Sequence, residues 1–417
     1  MENELVLSGR FYYQGKFQEL MVGVQSGVVT EIRKSITGDR VMKIEGGILP
    51  ASTDTHVHFR DPGETDKEDF PSGSMSAVYG GTTTVVDMPN NIVPITDYER
   101  FENKLSSIKG RSYCDYGLYS MYNGNNAEVL SPKSNGVKIY LGGSTNTSGV
   151  TVREKDIPLL NAMEVPVVFH AEDQECLKEN SFEAKNLREH NLSRPVMCES
   201  KAIGKALEYD LKHRVITHLS DYGAIVGTSG NKTTYEVTPH HLLLNDELDI
   251  GSNGKVNPPL RSKEIQSNLL AHYLSGDIDI VSTDHAPHTE GEKEDFQFAR
   301  SGIIGVETRV PLLLGLVSKH ILDLDLFYRT AILNPAKLFG LKKGMLEIGY
   351  RADFISYRSS NLKRINPDRL HSKYPLSPFR GFEAVFPDFV MMGGNVILER
   401  GEIIDDKLGG FQQKSVG

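Results

Sequence analysis

The segment GGILPASTDTHVHF, residues 46–59, is a short apolar run that ends in two histidines one residue apart. Alternate side chains of a strand point to the same face, so His56, His58 and the following Arg60 are expected to converge. Three positive side chains would repel one another there. A metal ion removes that conflict, because it binds neutral imidazole and leaves the arginine free to hold an anion. The segment therefore predicts a strand that leads into a metal site.

Seven further apolar runs follow, and each ends in polar residues before a longer helical or loop stretch. They are GGTTTVVDMPNN, YCDYGLYSMYN, NGVKIYLGG, VPVVFHAED, RVITHLSD, TTYEVTPHHLLL and DIDIVSTDHAPH. Apolar runs separated by segments long enough for a crossover helix predict parallel strands that are buried on both faces. Eight such runs predict an α/β fold, a (β/α)8 TIM-like metallohydrolase barrel over residues 51–344.

The two ends of the chain follow a different pattern. Residues 1–50 and 345–417 alternate apolar and polar side chains in runs such as GRFYYQGKF and FPDFVMMGGNVILERGEI, with glycine at hairpin-like turns. We expect both ends to pair into one small composite β domain, a β-sandwich beside the barrel.

The composition limits the classes of partner. Of the 417 residues, 39% are hydrophobic and 24% charged, which are ordinary values for a globular protein. A net charge of −9 disfavours a nucleic-acid surface, since phosphate binding needs clustered lysine and arginine. No run approaches the ~20 apolar residues of a membrane span, and the N-terminus lacks the pattern of a signal peptide. We expect a cytoplasmic protein that binds neither nucleic acid nor membrane.

The three cysteines, Cys114, Cys176 and Cys198, are far apart and form no CxxC pair. An odd number of scattered cysteines argues against a disulfide framework and against a structural zinc site. We expect three reduced thiols.

Polar side chains of several types stand at or just after the ends of the predicted strands. They are His56, His58, Asn90, Lys138, His170, His218 and Asp284. In a TIM-like barrel these ends meet at one mouth, where the chemistry takes place. Taken singly, each has a simpler explanation, such as a rim histidine with its own hydrogen bonds or an aspartate that caps the next helix. Taken together, they predict a metal-dependent active site.

Lys138 is the unusual member of this set, because metal ions would repel a charged lysine. Its simplest role is to extend its ammonium group to solvent. Alternatively, burial beside cations would lower the pKa of the amine. A neutral amine can react with carbon dioxide to form a carbamate, an anion that can bridge two metals.

The motifs DTHVHFRDPG, DMPNN, GVKIYL, VFHAED, THLSD and STDHAPHT occur in this order, with VNPPLR, SGIIGVET and EIGYRADF elsewhere in the chain. This set closely resembles the dihydroorotases of the amidohydrolase superfamily over nearly the whole length. Some bacterial members supply an aspartate in place of the lysine, whereas Lys138 resembles the carbamate-bridged type. The resemblance implies a cyclic amidohydrolase that interconverts (S)-dihydroorotate and N-carbamoyl-L-aspartate in pyrimidine biosynthesis.

The resemblance also implies a metal centre with two divalent ions. The implied ligands are His56, His58 and Asp284 on one ion, His170 and His218 on the other, and carboxylated Lys138 as the bridge. Zinc is the expected metal, although imidazole and carboxylate ligands also accept manganese or cobalt. Asp284 would serve as general acid and base for a metal-activated hydroxide.

Four further residues match positions that hold the substrate in the family. They are Arg60, Asn90 and His288, with Asn257 as a less certain addition. The arginine offers a planar fork that suits a carboxylate. It would otherwise pair with an acidic residue of its own loop, such as Asp61 or Glu64.

Several alternatives stay open. An allantoinase or dihydropyrimidinase would share the barrel and the metals, but its substrate lacks the carboxylate that Arg60 would bind. A non-catalytic scaffold relative should have lost metal ligands, and here none is missing. The segment GGSTNTSGV, residues 142–150, is either a mobile lid or a plain connection. The oligomeric state is undecided, with a homodimer as one expectation.

Overall fold

The structure, a computed structural model, describes residues 3–38, 40–225, 232–405 and 409–413. The chain begins with four strands, β1 (Leu5–Tyr13), β2 (Lys16–Gln25), β3 (Val28–Arg33) and β4 (Val41–Pro50). Strand β1 pairs antiparallel with β2 and parallel with β4, and β2 pairs antiparallel with β3.

Eight strands then form a barrel. They are β5 (Ser52–Val57), β6 (Thr82–Asp87), β7 (Asp115–Met121), β8 (Gly136–Tyr140), β9 (Val167–His170), β10 (Arg214–Ile216), β11 (Thr233–Val237) and β12 (Ile280–Val281). Each pairs in parallel with the next along the chain. An isolated parallel bridge between Val57 of β5 and His285 joins the first strand to the segment that follows the last one. These are the eight runs predicted from the sequence, and the TIM-like barrel is confirmed.

Helices connect the strands. They are α1 (Phe70–Tyr79), α2 (Tyr98–Ile108), α3 (Ile157–Ala162), α4 (Gln174–Asn180), α5 (Leu187–Ser193), α6 (Val196–Glu208), α7 (Pro239–Leu243), α8 (Lys263–Ser275), α9 (Arg309–Ser318), α10 (Leu324–Tyr328) and α11 (Asn334–Leu338). Side chains such as Asp69 before α1 and Ser262 before α8 accept a backbone N–H of the first turn and so fix where the helix begins. None of the described helices combines the length and apolarity needed to cross a bilayer.

The C-terminal part adds six strands. They are β13 (Phe354–Tyr357), β14 (Lys363–Arg364), β15 (Glu383–Ala384), β16 (Phe389–Met392), β17 (Asn395–Glu399) and β18 (Glu402–Ile403). Four of them complete the N-terminal sheet in the order β18-β17-β16-β13-β4-β1-β2-β3. Apolar side chains of this sheet, among them Leu7, Phe11 and Phe354, form a core of their own. The two ends of the chain thus build one β unit, while its exact limits at residues 50 and 345 stay a prediction.

Contacts across the seam between β5 and β12 close the barrel at both ends. At one end, the buried guanidinium of Arg309 donates to the carbonyls of Thr53 at 3.1 Å and Val281 at 2.8 Å. At the other end, the backbone N–H of His58 donates to the carbonyl of His285 at 2.7 Å. The closing seam therefore passes directly beside the predicted metal site.

The expectation of three reduced thiols is wrong for two of them. A disulfide joins Cys176 in α4 to Cys198 in α6, with Cα atoms 5.3 Å apart. The two cysteines are 22 residues apart in sequence, and the intervening α5 turns the chain back so that α6 packs on α4. The spacing of the cysteines in the sequence does not indicate that the chain turns back in this way. Cys114 is free and buried, as expected.

Candidate active site

The predicted metal ligands converge on the mouth formed by the C-terminal ends of the barrel strands. His56 lies in β5, His58 directly follows the last residue of β5, and His170 is the last residue of β9. His218 and Asp284 lie shortly after β10 and β12, and both have left-handed backbone conformations, with φ of +41° and +47°. Residues other than glycine rarely adopt this conformation. In His218 and Asp284 it turns the side chain back over the mouth.

His56, His58 and Asp284 form a compact group. Asp284 Oδ1 lies 2.9 Å from His58 Nε2 and 3.2 Å from His56 Nε2. One ligand atom from each of the three residues fits within 4.8 Å of the others. Two imidazoles and one carboxylate are ligands that zinc and similar divalent ions accept.

Hydrogen bonds behind the two imidazoles show why a cation belongs in this group. His56 Nδ1 lies 2.9 Å from Glu236 Oε1, and His58 Nδ1 lies 2.7 Å from Asn90 Oδ1. Both oxygens only accept, so each Nδ1 carries a proton, and a neutral ring in this tautomer presents a lone pair at Nε2. Burial, against the opposing effect of Asp284, lowers the pKa of His58 to about 4, so this imidazole is neutral near pH 7. Lone pairs and a carboxylate that face one another fit a divalent cation between them.

The pKa of Asp284 supports the same conclusion. Burial alone would raise the pKa of this carboxyl, but positive charge at the positions of His56, His58 and His218 holds it well below its usual value, and a cation bound between neutral imidazoles would supply such a charge. The group is therefore a carboxylate at neutral pH. In that form it can bind a cation or accept a proton during a reaction.

His170 and His218 form a pair of candidate ligands next to the group of His56, His58 and Asp284. His170 Nδ1 lies 3.0 Å from His218 Nε2, and the rings of His218 and His56 are 5.5 Å apart. His170 Nε2 donates to Glu172 Oε2 at 3.0 Å, so Nδ1 presents a lone pair towards His218. Glu172 is held in turn by the guanidinium of Arg194 at 2.5 and 3.0 Å.

Lys138 is fully buried in the middle of β8. Its Nζ donates to Thr217 Oγ1 at 3.1 Å and lies 5.4 Å from the centre of the Tyr140 ring. Within the described ranges no carboxylate pairs with it directly. Burial lowers the pKa of the amine to about 8, although Glu236 and Asp284 act in the opposite direction. The alternative of a lysine that extends to solvent is therefore wrong.

Three of the four predicted substrate residues line one small cavity. Its volume is about 30 Å³, and its walls include Arg60, Asn90, Asn257, His58 and Asp284. A larger pocket of about 660 Å³ lies next to this cavity, and its walls share Ser144, Thr145, Asn257 and Ser301 with it. The cavity thus brings the candidate substrate residues next to the candidate metal ligands.

Arg60 is buried without an acidic partner. Its Nε donates to the carbonyl of Pro287 at 3.3 Å, and no ion pair of this arginine is found among the residues that the structure describes. The acids of its own loop bind elsewhere, Asp61 to Arg111 at 2.8 Å and Glu64 to Lys67 at 2.6 Å. A buried guanidinium with no acidic group in direct contact is well suited to an anionic ligand.

The fourth predicted substrate residue, His288, lies behind Arg60. Its Nε2 is 3.3 Å from Arg60 Nη2, and its Nδ1 is 3.2 Å from Glu292 Oε2. It is absent from the walls of the cavity. A role for His288 in direct contact with substrate therefore stays a prediction, and its observed contacts are with Arg60, Glu292 and the carbonyl of Ser301.

The segment 142–150 lies over this cavity. Ser144 and Thr145 form part of its wall, and the carbonyl of Thr145 accepts from Asn90 Nδ2 at 3.1 Å. Asn146 Nδ2 donates to Glu64 Oε2 at 3.1 Å. The segment is thus attached to both the β5 and β6 loops, and its movement as a lid stays a prediction.

Sequence reasoning missed the carboxylates that orient the histidines. Glu236 is a buried charge inside the apolar strand β11, and Glu172 follows His170 by two residues. A charged residue in a strand that is buried on both faces is itself a signal, because such a charge needs a partner. That signal was available in the runs TTYEV and FHAED.

Comparisons with known proteins agree with this geometry. A family described as the amidohydrolase family matches residues 159–397, more than half of the chain. The dihydroorotase of Thermoplasma acidophilum is 54% identical over 409 residues, which cover 98% of each chain. The dihydroorotase of Methanosarcina acetivorans is 37% identical and covers 93% of this chain and 90% of its own.

Among solved structures, the L-hydantoinase (dihydropyrimidinase) from Arthrobacter aurescens is similar to the whole chain. The TM-score is 0.91 at 25% sequence identity, and the match covers 98% of this chain and 99% of the other. The barrel and its histidine-rich mouth are those of a metal-dependent hydrolase of cyclic amides. The chain belongs to the amidohydrolase family and, within it, to the dihydroorotases.

Proposed function

We propose that this protein catalyses the reversible hydrolysis of (S)-dihydroorotate to N-carbamoyl-L-aspartate, and that ring closure serves pyrimidine synthesis. One observation carries the choice of substrate. The buried guanidinium of Arg60 has no acidic partner in the described structure, and it shares a small cavity with Asp284. A cyclic amide that bears a carboxylate would supply an anion for this guanidinium.

The residues of the cavity divide the work between binding and proton transfer. Arg60 would hold the substrate carboxylate through its fork of N–H donors, and Asn90 would add a donor from the neighbouring strand end. Asp284, a carboxylate at neutral pH, would take up a proton as the amide is attacked and deliver it to the departing nitrogen. The same proton moves in the opposite direction when the ring closes.

We further propose that two zinc ions occupy the site, one at His56, His58 and Asp284 and one at His170 and His218. Bound divalent ions provide a strong nucleophile near neutral pH and polarise a carbonyl. The donor chemistry supports this, because imidazole nitrogens with exposed lone pairs face a carboxylate. Metal analysis of the purified protein tests it, with about two zinc ions per chain expected.

Lys138 would carry the carbamate that bridges the two ions. Its neutral amine attacks carbon dioxide, a new N–C bond forms and one proton is released, which leaves an anion. Full burial, the absence of a paired carboxylate in the described part of the chain and the lowered pKa support this assignment. Protein equilibrated with ¹³C-labelled bicarbonate should show one carbamate resonance in the ¹³C spectrum, and Lys138→Ala should lack it.

A substrate panel tests the proposed function most directly. Dihydroorotate, allantoin and dihydrouracil are offered to the same metal-loaded sample, and kcat/KM is measured for each. We expect turnover of dihydroorotate to exceed that of the other two by a wide margin. Faster turnover of a cyclic amide without a carboxylate would overturn the proposal.

Dihydropyrimidinase activity is the second candidate, since the overall fold is so similar to the L-hydantoinase (dihydropyrimidinase) from Arthrobacter aurescens. The relatives with higher sequence identity are dihydroorotases, which favours the first candidate. Dihydrouracil in the substrate panel separates the two.

Two expectations about the setting of the enzyme remain predictions. A homodimer would be detected by light scattering coupled to size-exclusion chromatography. Residence in the cytoplasm would be tested by fractionation of the source cells.

A further inference from the structure

His285 occupies a central position in the seam of the barrel. It follows Asp284 directly and is fully buried. Its carbonyl accepts the backbone N–H of His58 at 2.7 Å, and its own N–H donates to Thr283 Oγ1 at 3.1 Å. One residue thus connects the two chain segments that bring His58 and Asp284 together.

The ring of His285 has a defined orientation. Its Nδ1 accepts the backbone N–H groups of Gly305 at 3.1 Å and Val306 at 3.4 Å. A nitrogen that accepts carries no proton, so the proton of the neutral ring is on Nε2. This assignment follows from the hydrogen-bond pattern.

The Nε2 of His285 is directed at Glu68. The distance from Nε2 to Glu68 Oε2 is 3.8 Å, and neither atom has a hydrogen-bond partner among the described residues. The other oxygen of Glu68 accepts from Ser72 Oγ in the first turn of α1. Two buried polar atoms without other partners therefore face each other, which would be costly unless they act on one another.

We propose that His285 and Glu68 are a positioning pair for Asp284, an inference that rests on the proposed function. The backbone of Asp284 has a φ of +47°, which a residue with a side chain adopts only when its surroundings hold it there. His285 keeps the backbone of Asp284 in this conformation through the hydrogen bonds of its ring, its carbonyl and its N–H. Glu68 fixes the ring from the opposite side. The pair contacts no substrate and sets the direction in which the Asp284 carboxylate points.

The test replaces Glu68 by leucine and by glutamine, and His285 by asparagine, in the metal-loaded enzyme. In Glu68→Leu we expect kcat to fall about tenfold to a hundredfold, the range for a misplaced reacting group, with KM changed less than about twofold. Glu68→Gln keeps an oxygen that can accept from Nε2, so it should retain most of the rate. His285→Asn cannot reach Glu68 and should behave like Glu68→Leu.

A structural readout accompanies the rates. In crystals of Glu68→Leu we expect the distance between Asp284 Oδ1 and His58 Nε2 to exceed the present 2.9 Å. His241→Asn is the matched control, since His241 is similarly buried and both of its ring nitrogens have partners, Thr238 Oγ1 at 2.9 Å and the carbonyl of Pro258 at 3.0 Å. It should lower the melting temperature and leave kcat near the wild-type value.

Three results would overturn the proposal that His285 and Glu68 position Asp284. They are an unchanged kcat in Glu68→Leu, an equal loss in Glu68→Gln and Glu68→Leu, and a loss in the control as large as in the test variants. If Glu68→Leu does not fold, His285→Asn decides by the same criteria. Failure of the proposed function is distinguishable, because it appears in the wild-type substrate panel, and the variants are then measured on whichever cyclic amide the wild type hydrolyses.

Discussion

The two halves of the candidate metal centre are supported in different ways. His56 and His58 are oriented from inside the barrel wall, by Glu236 in β11 and by Asn90 after β6. His170 is oriented by Glu172, which depends on Arg194 beyond the end of α5. The first half is thus built by strands, and the second by strands and the helices behind them.

The helices behind the second half form a connected network. Ser220, two residues after His218, donates its N–H to Glu199 at 2.9 Å, and Arg261 donates to both Ser220 Oγ at 2.8 Å and the carbonyl of Arg194 at 2.6 Å. Glu199 is next to Cys198 of the disulfide. Helices outside a barrel are held less rigidly than its strands. We therefore expect the positions of His170 and His218 to be more easily disturbed by mutation than those of His56 and His58.

The largest expected effect is in the first half. Asp284→Asn should lower kcat in both directions by about 10²- to 10⁴-fold, because this one carboxylate is proposed to serve as base for hydrolysis and as acid for the departing nitrogen. Rates of hydrolysis and of ring closure are measured on the same preparation.

Asp173→Asn is the control for this substitution, since Asp173 also follows a barrel strand but caps α4 and pairs with Lys205, and asparagine keeps the capping oxygen. Wild-type rates in Asp284→Asn would remove Asp284 from the mechanism.

Lys138→Ala tests the link between the halves. Loss of the proposed bridging anion should reduce activity by at least about 100-fold and weaken the binding of one or both proposed metal ions. Added acetate or propionate should restore part of the rate by entering the vacated space. Lys343→Ala, which removes a buried lysine that pairs with Asp115 and Asp353, should show no response to acetate. An identical lack of response in Lys138→Ala would count against the carbamate.

Arg60→Met tests substrate recognition apart from metal binding. Loss of a charge-assisted pair costs about 1.5–3 kcal/mol, which corresponds to about a 10- to 150-fold decrease in kcat/KM for dihydroorotate. Metal content should stay at the wild-type level, because Arg60 is proposed to hold an anion. Dihydrouracil is the internal control, since it lacks the carboxylate and its slow turnover should not decrease further. An unchanged kcat/KM for dihydroorotate would remove the proposed role.

The features that could be predicted from the sequence are local ones, and those that could not be predicted depend on contacts between distant parts of the chain. The strands and the ligands at their ends follow from local patterns, because apolar runs and the residues after them are adjacent in the chain. Contacts such as Glu236 with His56 join residues far apart in sequence, so a local pattern can indicate a buried charge but cannot identify its partner. The disulfide is a further case, since it depends on how α5 returns the chain. The unpaired state of Arg60 also required the structure, because two acids lie within four residues of it.

The smallest expected effect on activity concerns the disulfide. A double variant with Cys176→Ala and Cys198→Ala should lose about 2–4 kcal/mol of stability, the usual contribution of such a crosslink. At saturating zinc its kcat should stay within about twofold of wild type, since no cysteine contacts the cavity. Cys114→Ala is the control, because this buried thiol is free.

Mild chelation then tests whether the two halves of the candidate metal centre lose their metal ions separately. If α4 and α6 support only the second half, the double variant should lose one zinc ion per chain at a chelator concentration that leaves the wild type and Cys114→Ala loaded. The remaining ion should stay with His56, His58 and Asp284, whose support comes from strands. Simultaneous loss of both ions, measured by metal analysis along the chelator series, would mean that the two halves are one mechanical unit and that their different supports have no consequence for metal binding.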